Sequence, residues 1–285
     1  MRISTQSDVT AEIFGGIECI SRLKEAGYDA IDWSFFEMSS GRGKFLQPDW
    51  SDYAKALRAE GDRLGIAFNQ AHAPFSFSFG GEMDLSEPSY LALVRSIELA
   101  ARLGAESIVV HSVLTPAGVD LTEYNLVYFR SLIPYCEKYG IHIAFENIFD
   151  YDPTHRCLGR FATPELMNRF LDTLNHPGLT ACVDVGHAAI GGPEPETLIR
   201  GISAARLTAL HIQDTDYLDD RHLPPFLGLQ HWDAICDALR EIGYRGDLTL
   251  EIPKFFTHMD PALVPAGLAF AAASGRCLIE KITRK

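Results

Sequence analysis

The chain is poor in basic residues relative to acidic ones. It carries 25 Lys and Arg against 38 Asp and Glu, which gives a formal net charge of −13 at pH 7. Proteins that bind nucleic acid usually present a basic surface to the phosphates. The charge balance therefore disfavours nucleic acid as a partner. Only a local basic groove would be compatible with such binding.

Cysteines are few and scattered. The six of them form no C-x-x-C pair, which in a chain of this length is typical of reduced thiols in a cytoplasmic protein. Residues 1–5 lack the charged and then apolar segments of a signal peptide. No uninterrupted apolar run approaches the roughly 20 residues that cross a membrane. We therefore expect a cytoplasmic protein without a membrane segment.

The sequence also lacks a glycine-rich phosphate-binding turn and any linker. No G-x-G-x-x-G occurs, and the segment after the first predicted strand reads T-Q-S-D, which disfavours a doubly wound dinucleotide-binding fold. No low-complexity tract divides the chain. Because 285 residues with 47% apolar content can form one large core, we predict a single domain over residues 1–285.

What the sequence does contain is a regular alternation of short β-rich runs with longer helical stretches. The predicted strands lie near Arg2–Thr5, Ala30–Ser34, Ile66–His72, Ser107–Ser112, Ile141–Glu146, Leu179–Asp184, Leu207–Ile212 and Asp247–Ile252. The predicted helices are Phe14–Glu25, Trp50–Leu64, Pro88–Leu103, Glu123–Tyr139, Thr163–Leu174, Glu196–Ala204, Trp232–Ile242 and Pro261–Ile282. Eight βα units imply parallel strands joined by helical crossovers. We predict an α/β fold, a single (β/α)8 TIM barrel.

Six consecutive predicted strands, from the third to the eighth, carry a metal-capable side chain at their carboxyl ends. In chain order these are His72, His111, Glu146, Asp184, His211 and Glu251. Active sites of such barrels form at the carboxyl ends of the strands, so these side chains should converge. Residues two positions earlier face the same way. Most of them are small, among them Ala144, Cys182 and Ala209, as expected of an interior layer beneath a site.

Loops that follow two of these strands add His187, Asp220 and His222. Carboxylates and imidazoles together suit Mn, Co, Zn, Fe or Mg, and the histidines favour the transition metals. Three carboxylates in a dry site are costly without a cation. We therefore predict a divalent metal ion as the cofactor, with these loop residues binding substrate or additional metal.

Two long segments rich in aromatic residues and glycine, 35–49 and 72–86, are predicted as loops over the barrel mouth. Phe75, Phe77 and Phe79 alternate in the second segment. They either line a substrate pocket or pack into the core.

The residues at the strand ends resemble the sugar phosphate isomerase/epimerase superfamily, the xylose isomerase-like barrels. The matching segments are Ala71–Pro74, Val110–Ser112, Phe145–Asn147, Val183–His187, His211–Asp214, Asp220–His222, Leu250–Ile252 and Gly243–Gly246. The resemblance spans nearly the whole chain. It implies a metal-dependent enzyme that isomerises or epimerises a small sugar or polyol carbonyl compound through an enediolate.

Resemblance to the ketose 3-epimerase branch implies roles for particular residues. One divalent ion would be held by Glu146, Asp184, His211 and Glu251, both glutamates would exchange the proton, and His187 would contact substrate oxygens. Those epimerases carry a glutamate and an arginine where this chain has Asp152 and Tyr217. The choice between isomerisation and epimerisation therefore stays open. Barrel enzymes of this kind often self-associate, so a homo-oligomer is a further expectation.

A second branch with similar residues comprises the zinc-dependent abasic-site endonucleases. Their three-zinc ligand types match His72, His111, Glu146, Asp184, His187, His211, Asp220, His222 and Glu251. A multi-zinc phosphodiesterase is therefore the alternative, and the negative net charge disfavours it. A third alternative is a lyase-type or non-enzymatic relative that binds metal and a sugar-like ligand.

Overall fold

The computed structural model describes residues 1–75, 79 and 81–284. Its strands are β1 Ile3–Gln6, β2 Ala30–Ser34, β3 Ala67–His72, β4 Ser107–Val110, β5 His142–Glu146, β6 Ile148–Tyr151, β7 Cys157–Arg160, β8 Leu179–Asp184, β9 Leu207–Ile212 and β10 Leu248–Leu250. Its α-helices are α1 Asp8–Phe14, α2 Gly16–Glu25, α3 Trp50–Leu64, α4 Pro88–Leu103, α5 Leu121–Tyr139, α6 Pro164–Leu174, α7 Val185–Gly191, α8 Pro195–Gly201, α9 Trp232–Glu241, α10 Pro253–Phe256 and α11 Val264–Thr283. Three short 3₁₀ turns cover Phe36–Ser40, Lys44–Leu46 and Pro261–Leu263.

Eight of the strands form a closed barrel in the order β1-β10-β9-β8-β5-β4-β3-β2. Every neighbouring pair is parallel, and β1 closes the barrel by pairing with both β10 and β2. The predicted (β/α)8 TIM barrel is confirmed. Because all strands run the same way, their carboxyl ends meet at one mouth.

The structure also contains elements that the sequence patterns did not predict. β6 and β7 form an antiparallel hairpin outside the barrel, in the connection between β5 and α6. The predicted helix Phe14–Glu25 is observed as α2, which starts two residues later at Gly16. The short helix α1 before it was not predicted, and Gly15 between the two helices has a φ of 82°. The short helix α7 starts directly after β8, where the carboxylate of Asp184 accepts a hydrogen bond from the backbone N–H of His187.

Buried residues form two layers around the strands. The inner layer, inside the barrel, is a cluster of Val109, Ala144, Cys182 and Ala209. Because these side chains are small, room is left above them for larger polar groups at the mouth. The outer layer packs strands against helices: the ring of Phe145 stacks on Phe170 at 4.4 Å and meets Phe129 edge-on at 4.9 Å.

The last helical segment, Pro261–Thr283, is long and apolar enough to cross a membrane by length and composition, with a mean hydropathy of 1.6. Core helices of soluble barrels have the same character. The part Val264–Thr283 contacts β1, β10 and α9, and Leu268, Ala271 and Leu278 are buried there. Its apolar face is therefore that of the eighth barrel helix.

The packing of Phe145 leads to a prediction about stability. Phe145→Ala would leave a cavity between β5 and the helices α5 and α6, and we expect the free energy of unfolding to fall by about 3–5 kcal/mol. Chemical denaturation measures the change. Leu218→Ala is the control, because this side chain is 72% exposed and should change stability by less than about 0.5 kcal/mol. Equal effects from both variants would contradict the packing described here.

Candidate metal centre and substrate cavity

Four side chains from neighbouring strands converge at the barrel mouth. Glu146 ends β5, Asp184 ends β8, His211 lies near the end of β9, and Glu251 follows β10 directly. Their nearest ligand atoms all lie within 4.8 Å of one another. Nδ1 of His211 is 2.8 Å from Oε1 of Glu146 and 3.3 Å from Oε2 of Glu251. The sequence placed all four at one site, and the structure brings them together.

The charges of this four-residue cluster are unbalanced. Burial raises the pKa of Glu251 well above its usual value, and the negative charges of Glu146 and Asp184 add to that effect against the opposing influence of His211. For Glu146, burial is outweighed by the imidazoles of His211 and His111, which hold its pKa well below the usual range. Three buried carboxylates around one imidazole are the mixed oxygen–nitrogen donor set of a divalent transition metal. The residues present therefore fit such an ion.

A second group of possible ligands lies beside the first. His187 on α7, Asp220 and His222 bring their ligand atoms within 4.8 Å of one another. Nε2 of His222 lies 2.7 Å from Oδ2 of Asp220. The side-chain amide of Gln213 joins the two groups, since its Nε2 lies 3.2 Å from Oδ2 of Asp184 and 3.1 Å from Oδ1 of Asp220.

His72 and His111 complete the set around Glu146. Their Nε2 atoms are 3.1 Å apart, and Nε2 of His111 lies 2.8 Å from Oε2 of Glu146. Burial lowers the pKa of His111 to about 4, so this imidazole is neutral and can act as a ligand near pH 7. The ladders of β4 and β10 end one residue before His111 and Glu251, so these two side chains lie just past the strands that were predicted to contain them.

Asp32 on β2 was missed by the sequence analysis. Its side chain is fully buried, and its Oδ2 lies 3.2 Å from Nε2 of His211 and 2.9 Å from the amide nitrogen of Gln70. A carboxylate that accepts from the outer nitrogen of a histidine fixes the ring and directs the other nitrogen at a metal. The sequence feature that could have revealed Asp32 is that it is the one charged residue in an otherwise uncharged strand, A-I-D-W-S.

Gln6, at the end of β1, is a second residue that the sequence analysis missed. Its side-chain nitrogen donates to Oε1 of Glu251 at 2.6 Å. Because Gln6 is itself buried, the amide holds one oxygen of Glu251 in place and leaves the other directed toward His211.

A cavity of about 1010 Å³ opens above these groups. His111, His187, Asp220, His222 and Glu251 form its floor. Its walls are aromatic and charged: they include Trp33, Phe36, Phe75 and Phe149, the acids Asp8, Glu12 and Glu37, and the bases Arg42, Arg160 and Lys254. The rings of Phe36 and Phe75 stack at 4.0 Å. Burial raises the pKa of Asp8 to about 6.

The pocket interpretation and the core interpretation of the phenylalanines in segment 72–86 each hold for one residue. Phe75 lines the cavity, in agreement with the pocket interpretation. Phe79 is buried near Tyr90 and Tyr124 instead, in agreement with the core interpretation. Phe77 lies outside the described residues.

Residues 20–273 match the family model of the xylose isomerase-like TIM barrel. Because the match covers most of the chain, the protein belongs to this family. The chain is 25% identical over 259 residues to protein y4fM of Sinorhizobium fredii, covering 81% of this chain and 79% of that protein. It is 26% identical over 249 residues to protein MJ1311 of Methanocaldococcus jannaschii, covering 81% and 77%.

Solved structures with the same fold include sugar epimerases. A D-tagatose 3-epimerase-like protein superposes with a TM-score of 0.72 at 22% identity, covering 99% of this chain and all of the other. The 3-keto-D-glucoside 4-epimerase YcjR of E. coli gives 0.71 at 18%, covering 97% and 99%. The IOLI protein, solved with a zinc atom, gives 0.70 at 17%, covering 99% and 98%.

The contact between Asp32 and His211 predicts a loss of metal affinity in a variant that leaves all four candidate ligands in place. Asp32→Asn removes the charge that orients His211, and we expect divalent-metal affinity to fall about 10- to 100-fold. Competition with a chelator measures the affinity, and Asp62→Asn on the exposed face of α3 is the control. Unchanged affinity in a folded Asp32→Asn variant would rule out this orienting role.

Proposed function

We propose that the protein is a divalent-metal-dependent isomerase or epimerase of a small sugar or a sugar-like polyol carbonyl compound. The observation that carries this proposal is the buried cluster of Glu146, Asp184, His211 and Glu251. Of these four residues, Glu251 lines the floor of the cavity. Structural neighbours support it, since they include a D-tagatose 3-epimerase-like protein and a D-allulose 3-epimerase solved with D-allulose. Sugar epimerases thus occur on this fold.

In this proposal the same four residues hold the metal, which would be Mn, Zn, Co or Mg. A divalent ion in such a site supplies Lewis acidity that makes a C–H bond next to a carbonyl more acidic. The chain's own contribution is to orient the ligands: Asp32 fixes His211, Gln6 fixes Glu251, and His111 and His211 hold Glu146.

Glu146 and Glu251 are the proposed proton-transfer pair. They lie on opposite sides of Asp184 and His211, because β8 and β9 separate β5 from β10 in the barrel. One carboxylate would remove the proton from the carbon next to the carbonyl, which gives an enediolate. The other would return a proton to the opposite face in an epimerisation, and a neighbouring carbon would receive it in an isomerisation.

The cavity walls suit a polyhydroxylated substrate. The stacked pair Phe36 and Phe75 offers an apolar surface to the carbon skeleton, while Asp8 and Glu12 on α1 offer acceptors to hydroxyl groups. His187, His222 and Asp220 would contact substrate oxygens or hold further metal. Cytoplasmic location and self-association remain predictions from the sequence.

The second group, His187, Asp220 and His222, favours one other candidate function, a multi-zinc phosphodiesterase. Its test is nicking of duplex DNA that contains an abasic site by the zinc-loaded protein. We expect no nicking, because a duplex requires a basic groove and the bases Arg42, Arg160 and Lys254 in the cavity walls are matched by the acids Asp8, Glu12 and Glu37. Nicking at a rate that depends on Asp220 would favour the hydrolase instead.

The proton-transfer assignment predicts the effect of removing either carboxylate. Manganese-loaded protein should interconvert at least one ketose in a panel and incorporate solvent deuterium at the reacting carbon, as detected by NMR. Glu146→Gln and Glu251→Gln should each lower turnover by about 10²- to 10⁴-fold, since each removes a group that moves the proton.

Two controls make this result interpretable. Glu241→Gln, on the surface beside Arg200, should keep full activity, and the metal content of each variant should be measured in the assayed sample. A Glu251→Gln variant that retains wild-type turnover would contradict the assignment.

A further inference from the structure

Arg160, the last residue of β7, is a largely buried cation in the wall of the cavity. Only 11% of its side chain is exposed, and it lines the cavity together with Ile148 and Phe149 of the same hairpin. Burial lowers the pKa of its guanidinium, against the opposing effect of Asp150. A buried guanidinium has five N–H donors to satisfy and is costly when they lack acceptors.

The acceptors available to Arg160 are incomplete. Nε approaches Oδ2 of Asp150 at 2.6 Å but without hydrogen-bond alignment, and Nη1 has no acceptor among the described residues. Asp150 is itself 45% exposed, so its carboxylate can turn toward water when another anion takes its place. The two other bases in the cavity wall differ from Arg160. Arg42 is exposed, and Nζ of the exposed Lys254 already donates to Asp220 at 2.8 Å.

The hairpin holds Arg160 at a fixed place relative to the metal cluster. Arg160 pairs with Ile148 across the hairpin, and Ile148 follows Glu146 by two residues. A Cβ at Gly159 would overlap the carbonyl oxygen of Gly191, so the hairpin packs closely on the end of α7. The ring of Phe149 also contacts His187 on that helix at 5.1 Å. The backbone that carries Arg160 is therefore held in place beside the floor of the cavity.

We propose that Arg160 is an anion-binding subsite, so that the substrate carries a carboxylate or a phosphate group in addition to its carbonyl and hydroxyl groups. A planar guanidinium recognises either anion with paired N–H donors. The substrate class is then an acidic sugar derivative, such as a keto-uronate or a ketose phosphate, and not a neutral ketose. This inference rests on the proposed function for the chemistry, but the binding step can be tested separately.

The experiment compares three probes with the manganese-loaded protein: D-fructose, D-fructuronate and D-fructose 6-phosphate. Calorimetry measures the affinity for each, and NMR records any interconversion. We expect at least one charged probe to bind about 10-fold or more tightly than D-fructose, and the preferred probe identifies the anion as carboxylate or phosphate. Arg160→Met should weaken binding of that probe about 10- to 100-fold, the range of one charge-assisted hydrogen bond, and should change D-fructose binding less than about 2-fold.

Arg156→Met is the matched control, because Arg156 is an exposed residue of the same hairpin and should change neither affinity. Arg160→Lys should retain part of the preference for the charged probe. The subsite is overturned if no charged probe binds more tightly than D-fructose, or if Arg160→Met weakens neutral and charged probes equally. Selective binding without any interconversion would leave the subsite supported and count against the proposed isomerase or epimerase function.

Discussion

The arrangement of the barrel mouth depends on the repulsion among three buried carboxylates, Glu146, Asp184 and Glu251, around the single imidazole of His211. Close carboxylates in a dry site need a proton or a cation between them. When only the histidines compensate this negative charge, the pKa of Glu146 is lowered and the pKa of Glu251 is raised. A divalent ion would replace that partial compensation, so metal binding would stabilise this arrangement of charges.

The surrounding structure is organised to hold these charges in place. Small side chains of the inner layer, such as Ala144 and Cys182, provide the space beneath the cluster. Polar side chains from the first two strands then restrain the ligands: Asp32 from β2 contacts His211, and Gln6 from β1 contacts Glu251 after the neighbouring strand β10. The strands β1 and β2 thus contribute to the site although they supply none of the four candidate ligands.

Much of this could be predicted from sequence because it repeats. Eight βα units indicate a barrel, and the barrel sends the carboxyl ends of its strands to one mouth, so residues as distant as His72 and Glu251 could be assigned to one site. Asp32 could not, because its role depends on the second nitrogen of a histidine 179 residues away. The β6–β7 hairpin has no distinctive periodicity, and only the packing of Gly159 against Gly191 shows why Arg160 lies at the cavity.

The most direct test is the number of divalent ions bound per chain, measured by elemental analysis of protein purified without chelator. We expect about one Mn, Co, Zn or Mg ion per chain in the wild type and its loss in an Asp184→Ala variant that remains folded. Folded wild-type protein that binds no divalent ion, even after Mn or Zn is added, would contradict a metal site at this cluster. Two or three zinc ions per chain would place His187, Asp220 and His222 among the ligands and favour the hydrolase.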